Sequence, residues 1–184
     1  MAAMGPFRRH RRAVTAAILF VTAAALTVMP LFPALIIADG KTGTALLAIP
    51  VSRGEHIALH YTHSIHRTPV IETYSIGDDV LVLEAVRFQS YGIGMPSDVE
   101  PGQTFTVKNG WFHLDHLNRP LPHLDLRIGY VANHTLHIGP HRISLAHVAT
   151  PGSWVRLNVK RETLWQRMGR VIQSDDRSQS FAVR

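Results

Sequence analysis

The sequence predicts an all-β fold, an antiparallel β-sandwich or barrel-like sheet, behind an N-terminal apolar segment. Three observations predict it. From Leu35 onward, short runs alternate between apolar and polar residues, which is typical of strands with one buried face. Turn residues such as Asn109-Gly110 separate these runs. The body of the chain shows no convincing helical periodicity, and 184 residues suffice for one domain with its own core.

The N-terminal segment has the pattern of a signal peptide or signal anchor. Four arginines precede an uncharged run from Ala13 to Ala38: Arg8, Arg9, Arg11 and Arg12. Residues 13–32 form a helix of about 20 residues, which at about 1.5 Å per residue reaches across the ~30 Å hydrocarbon core of a bilayer. Because basic flanks stay cytoplasmic, we expect the body on the periplasmic side of the inner membrane. If the leader is not cleaved, the N-terminus is cytoplasmic; cleavage and anchoring both stay open.

The charge distribution excludes a nucleic-acid partner. The chain has 19 basic and 13 acidic residues and a formal charge of +6. From Asp39 onward, 15 basic and 13 acidic residues remain, so the body carries only +2 (15 − 13). That balance provides no basic face of the kind that nucleic acid needs. Cysteine is absent, which excludes disulfides and thiolate metal sites.

About ten short strands are expected in the body. The most specific prediction is a two-residue hairpin at Asn109-Gly110, which pairs Lys108 with Trp111 and Val107 with Phe112. A one-sided apolar stripe near the C-terminus predicts an amphipathic helix that covers an open end of the sheet. The predicted organisation is a leader at 1–33, a β-domain at 34–161, and an amphipathic helix with a frayed tail at 162–184.

A polar, histidine-bearing segment between two predicted strands is the candidate site. His63 and Glu72 occupy positions whose neighbours on the same strand face are apolar. A register that pairs Tyr61 with Tyr74 would set His63 directly opposite Glu72, with Cβ atoms roughly 5 Å apart. Such a pair fixes the register, lines a ligand-binding or partner-binding pocket, or takes part in catalysis, and these alternatives stay open. The candidate binding residues are Tyr61, His63, Ser64, Arg67, Glu72, Gly92 and Gly94.

Strand geometry argues against catalytic and metal assignments at this segment. Ser64 follows His63 in a predicted strand and so points to the opposite face, which makes a Ser-His-acid triad geometrically poor. His60, His63 and His66 are spaced by three, so successive side chains also alternate between faces. We therefore predict no catalytic residue, no metal site and no cofactor.

One set of residues in the body carries a resemblance to a known family: Tyr61-Thr62-His63-Ser64, Pro69, Glu72, Phe88 and Gly92-Ile93-Gly94. With these residues the chain resembles a bacterial family known only as a domain of unknown function, DUF1850. The resemblance covers the chain from about Leu35 to about Val159. The resemblance implies a small exported β-domain, often encoded beside TRAP-type transporters of the TAXI subclass, whose solute receptors are periplasmic. It carries over no catalytic residue, because no activity is established for the family.

Together these observations predict an accessory or binding module, membrane-anchored or exported to the periplasm, associated with a TAXI-type TRAP transporter. The expected partners are subunits of such a transporter or its periplasmic solute receptor, and the inner membrane through the N-terminal segment. Two alternatives stay open. One is a periplasmic, hydrolase-like enzyme that uses His63 and Glu72, and the other is a purely structural envelope protein.

Overall fold

A computed structural model describes residues 6–90 and 99–168. The chain divides into two compact units, one formed by residues 33–160 and the other by the residues up to Phe32 together with those from Arg161 onward. The first unit contains nearly all of the β structure. The all-β, antiparallel fold predicted from the alternating runs is confirmed.

The described residues contain eleven strands and two helices, and residues 164–168 are also helical. In chain order the elements are α1 (Pro6–Val28), β1 (Phe32–Asp39), β2 (Ala45–Pro50), β3 (His56–Thr62), β4 (Pro69–Ile76), β5 (Leu81–Phe88), β6 (Thr104–Lys108), β7 (Trp111–Leu121), β8 (Leu124–Arg127), β9 (Thr135–Ile138), β10 (His141–Ser144), α2 (Leu145–Val148) and β11 (Trp154–Glu162).

The strands form two antiparallel sheets that share one core. The smaller sheet has the order β2-β1-β11-β8, and the larger has the order β10-β9-β3-β4-β5-β7-β6. The main apolar cluster draws fully buried side chains from both sheets, such as Leu35 and Leu157 from one and Ile57 and Leu136 from the other. A second cluster lies within the larger sheet around Phe88. The sheets therefore pack face to face as in a sandwich.

The hairpin predicted at Asn109-Gly110 is confirmed. Lys108 pairs with Trp111 and Val107 with Phe112, as expected. Asn109 and Gly110 both have positive φ angles, 51° and 77°. Those are the angles of a type I′ turn, whose twist matches that of the flanking strands. Local turn chemistry therefore fixes this register.

The register predicted between β3 and β4 is wrong. Tyr61 pairs with Val70 rather than with Tyr74, and Glu72 lies opposite Leu59 rather than opposite His63. The reason is that β3 ends at Thr62, before His63. The shift is even in number, so Tyr61 and Glu72 still share the inner face of the sheet.

Helical structure differs from the expectation in two places. The sequence predicted no helix in the body, but residues Leu145–Val148 form a single helical turn, α2. The predicted C-terminal helix begins with residues 164–168, and its predicted continuation lies outside the described residues. Thr163 and Gln166 exchange backbone-to-side-chain hydrogen bonds at its start, as in a capping box. In the part of the chain that the structure describes, no helix is both long and apolar enough to cross a membrane.

Candidate functional site

The inner face of the larger sheet holds one carboxylate between two tyrosines. The Tyr61 hydroxyl donates to Glu72 Oε1 at 3.0 Å, and the Tyr74 hydroxyl donates to Glu72 Oε2 at 2.5 Å. Tyr74 is only 2% exposed, whereas Tyr61 and Glu72 are half-buried. Both carboxylate oxygens are thus held by hydroxyls, which offsets the cost of placing the group beside the core. We call these three residues the tyrosine–carboxylate cluster.

Burial and the neighbouring carboxylate both disfavour ionisation of these tyrosines. Loss of water raises the pKa of Tyr74 well above its usual range, and the charge of Glu72 and the hydrogen bond to it raise it further. The same causes, in the same order, raise the pKa of Tyr61. Both hydroxyls therefore remain protonated donors throughout the physiological pH range.

We expect the fold to lose stability above about pH 10, where tyrosines of an unfolded chain ionise. Because the folded pKa values of Tyr61 and Tyr74 are raised, their contribution is complete below that pH and is lost progressively as the pH rises from there through the higher folded pKa values. Phenolate absorbance should therefore show Tyr61 and Tyr74 ionising only together with unfolding. In a Tyr61→Phe, Tyr74→Phe variant this coupled phase should disappear. Ionisation of Tyr61 and Tyr74 without unfolding would contradict the cluster.

His63 is held by its own turn and not by Glu72. Its Nδ1 accepts bonds from the backbone N–H groups of Ile65 and His66, at 3.3 and 3.2 Å. Its backbone N–H donates to Thr68, and its carbonyl accepts from Arg67. These bonds close residues 63–68, which we call the His63 turn. Glu72 and His63 therefore have separate partners, and the predicted cross-strand pair does not form.

The remaining predicted site residues fall into two groups. Ser64 and Arg67 are exposed in the His63 turn, where Arg67 adopts a positive φ of 56°. Gly92 and Gly94 lie outside the described residues. The strand-parity argument against a triad does not apply, because His63 and Ser64 are in a turn. A different observation argues against a triad: the His63 Nδ1 accepts hydrogen bonds from backbone N–H groups. It therefore does not bond to a carboxylate, which in a triad orients the imidazole ring.

A second loop, residues 129–134, lies beside the His63 turn. The Thr62 backbone N–H donates to the Ala132 carbonyl at 2.7 Å, which joins the end of β3 to this loop. The His134 ring contacts the Tyr61 ring, with centroids 5.4 Å apart. Burial lowers the pKa of His134, so its neutral form is favoured. The tyrosine–carboxylate cluster thus lies beneath the junction of these two loops.

Both loops expose apolar side chains to solvent. Ile65 in the His63 turn is 61% exposed, and Tyr130 and Val131 in the second loop are 80% and 41% exposed. Large apolar residues on loops at one end of a domain are typical of contact surfaces. We call these three side chains the loop-end surface. No group of three or more potential metal ligands occurs among the described residues.

Residues 57–145 match the family described as Domain of unknown function (DUF1850). Over this stretch the chain is similar to the DUF1850 family. The resemblance inferred from the sequence is confirmed, while the association with a transporter stays a prediction. The matched stretch begins in β3 and ends at the first residue of α2, so it includes the tyrosine–carboxylate cluster and the loop-end surface. No curated protein and no solved structure matches the chain.

The sequence analysis did not include two residues of the candidate site, Tyr74 and His134. A signal for Tyr74 was present, because it stands two residues from Glu72 and therefore on the same face of the strand. No local signal pointed to His134. Its contact with Tyr61 depends on β9 lying beside β3, a pairing between segments more than 70 residues apart.

Proposed function

We propose that the DUF1850 domain is a non-catalytic binding module that acts at the periplasmic side of the inner membrane. Its proposed partner is a TRAP-type transporter of the TAXI subclass, through a subunit or the periplasmic solute receptor. The observation that carries the proposal is the loop-end surface, where Ile65, Tyr130 and Val131 are all more than 40% exposed. Burial of such side chains in a protein interface is favourable by roughly 1.5–3 kcal/mol each.

The geometry beneath this surface favours docking over catalysis. Each Glu72 oxygen accepts a bond from a tyrosine hydroxyl, and the His63 Nδ1 accepts bonds from backbone N–H groups. The hydrolase alternative loses the His63–Glu72 pair on which it depended. The cluster instead ties β3 to β4 directly below the loops. Rigid support of this kind lowers the entropic cost of binding through those loops.

The proposed location rests on the N-terminal segment. Six large apolar side chains of α1 are at least 58% exposed, and arginines stand before them in the sequence. They are Val14, Ile18, Leu19, Phe20, Val21 and Val28. A signal peptide needs only about 7–15 such residues after a basic region. This pattern supports export, with the leader either cleaved or kept as a membrane attachment.

We expect substitution of the loop-end surface to weaken association with the transporter at least tenfold. The variant is Ile65→Ser with Tyr130→Ser, because two well-packed apolar anchors contribute more than the about 1.4 kcal/mol that corresponds to tenfold. Detergent-solubilised membranes would be tested for co-purification of TAXI-type transporter subunits and the solute receptor. The matched control is Val107→Ser on β6, which is also 61% exposed but lies at the far edge of the sheet.

Three outcomes would contradict the proposal. One is recovery of no transporter component with the unmodified chain. Another is equal loss of binding in the Val107→Ser control. A third is unchanged solute uptake after deletion of the gene. A folded variant with normal uptake would favour the purely structural alternative. Protease protection in spheroplasts tests the location separately, since a periplasmic domain is digested without lysis of the cell.

A further inference from the structure

The outer face of the larger sheet carries three basic side chains side by side. His137 on β9 pairs with Arg142 on β10, while His60 on β3 pairs with Thr135 on β9. Because alternate residues of a strand share a face, these side chains lie opposite to Tyr61 and the core. The His60 and His137 rings stack with centroids 3.9 Å apart and planes within 4°. We call His60, His137 and Arg142 the outer-face cluster.

No carboxylate neutralises this cluster within the described chain. None of the ion pairs among the described residues includes its members. Glu84 lies on the same face, but its carboxylate accepts a hydrogen bond from Ser75. Ser75 is the register partner of His56 and not of His60, so this carboxylate is directed away from the cluster. On β4, the outward neighbours of His60 are uncharged. Arg87 on β5 is two strands away, about 10 Å, and adds further positive charge.

The positive charges act on one another. Burial lowers the pKa of His60, and the neighbouring His137 and Arg142 lower it further. Protonation of His60 is therefore opposed by repulsion as well as by loss of water. An anion placed among the three groups would relieve that repulsion and favour the protonated histidine.

We propose that the outer-face cluster is a binding site for an oxyanion, the shared chemistry of phosphate, sulfate and carboxylate groups. Arg142 supplies a planar fork of N–H donors, which suits two oxygens of one anion. A protonated imidazole donates from both ring nitrogens. The Ser144 hydroxyl stands on the same face, opposite Thr135 across β9 and β10, whereas the Thr135 hydroxyl donates to the Asn133 carbonyl at 3.2 Å. Binding strengthens as the pH falls, because the histidines must be protonated.

The geometry of the two histidine rings argues against a metal site at this position. Parallel rings 3.9 Å apart direct their nitrogen lone pairs into parallel planes, so the lone pairs do not converge on one ion. A metal also requires neutral imidazole and would be repelled by Arg142. The site is independent of the loop-end surface, so failure of the proposed docking leaves it untouched.

Sulfate is the probe for the test, because its charge is constant over the relevant pH range. The full chain in detergent would be titrated by calorimetry and by NMR of the histidine ring protons. We expect saturable binding whose affinity rises about tenfold between about pH 7.5 and pH 5.5, because a bound anion favours the charged form of His60. Methyl phosphate and acetate, compared at one pH, distinguish a phosphate source from a carboxylate source.

Variants assign the effect to the cluster. Arg142→Gln should weaken sulfate binding at least tenfold, whereas Arg127→Gln on β8, an exposed arginine of the other sheet, should not. A His60→Gln, His137→Gln variant should bind with little pH dependence, and circular dichroism confirms that it is folded. A response that does not saturate, that chloride reproduces, or that Arg127→Gln weakens equally would overturn the proposal.

Discussion

Replacement of Glu72 by alanine is expected to destabilise the β-domain by about 2–4 kcal/mol. The change leaves the hydroxyls of Tyr61 and Tyr74 without their acceptor, and Tyr74 is 2% exposed. A buried donor without a partner costs about 1–3 kcal/mol, and bonds to a charged acceptor are at the upper end. Denaturant unfolding followed by tryptophan fluorescence measures the loss.

A double-mutant comparison separates the hydrogen bonds from simple packing. In a Tyr61→Phe, Tyr74→Phe background the hydroxyls are absent, so Glu72→Leu should cost little or even stabilise the fold. His63→Ala serves as a second comparison. It removes an acceptor of two exposed or half-exposed turn N–H groups and should cost less than Glu72→Ala. If Glu72→Leu costs as much in this background as in the unmodified chain, the carboxylate does not act through the tyrosines.

Replacement of Phe88 by alanine is expected to cost about 3–5 kcal/mol, the usual range for truncation of a buried aromatic ring. Phe88 is 0% exposed and stacks on Phe112 with centroids 5.2 Å apart. It also packs with Val70 and Val86 in the second cluster. Because Val70 is the register partner of Tyr61, this cluster adjoins the tyrosine–carboxylate cluster. The midpoint of urea unfolding checks the prediction.

The matched control is Phe105→Ala on the edge strand β6. Phe105 also contacts Phe112, at 5.9 Å, but it is only partly buried. Its loss should therefore cost clearly less than that of Phe88, since less area returns to water. Equal costs, or a cost below about 1 kcal/mol for Phe88→Ala, would mean that the second cluster is not a packed core.

The candidate site was only partly predictable from sequence. Strand alternation correctly placed Tyr61 and Glu72 on one inner face, because side-chain direction depends on local geometry alone. The partner of Glu72 was predicted wrongly, as His63 instead of the two tyrosines. Alternation does not reveal where a strand ends. The His63 turn is closed by hydrogen bonds of its own backbone and of the His63 ring. With this turn in place, Tyr61 pairs with Val70 on β4 and not with Tyr74.

Local sequence patterns are sufficient to predict the all-β class, the hairpin at Asn109-Gly110 and the faces on which most strand residues lie. These features follow from turn chemistry and from a period of two, both of which act over a few residues. The position of β9 beside β3, which brings His134 to Tyr61 and His137 to His60, is visible only in the folded chain. Such pairings join distant segments, and their choice depends on packing across both sheets rather than on any local pattern.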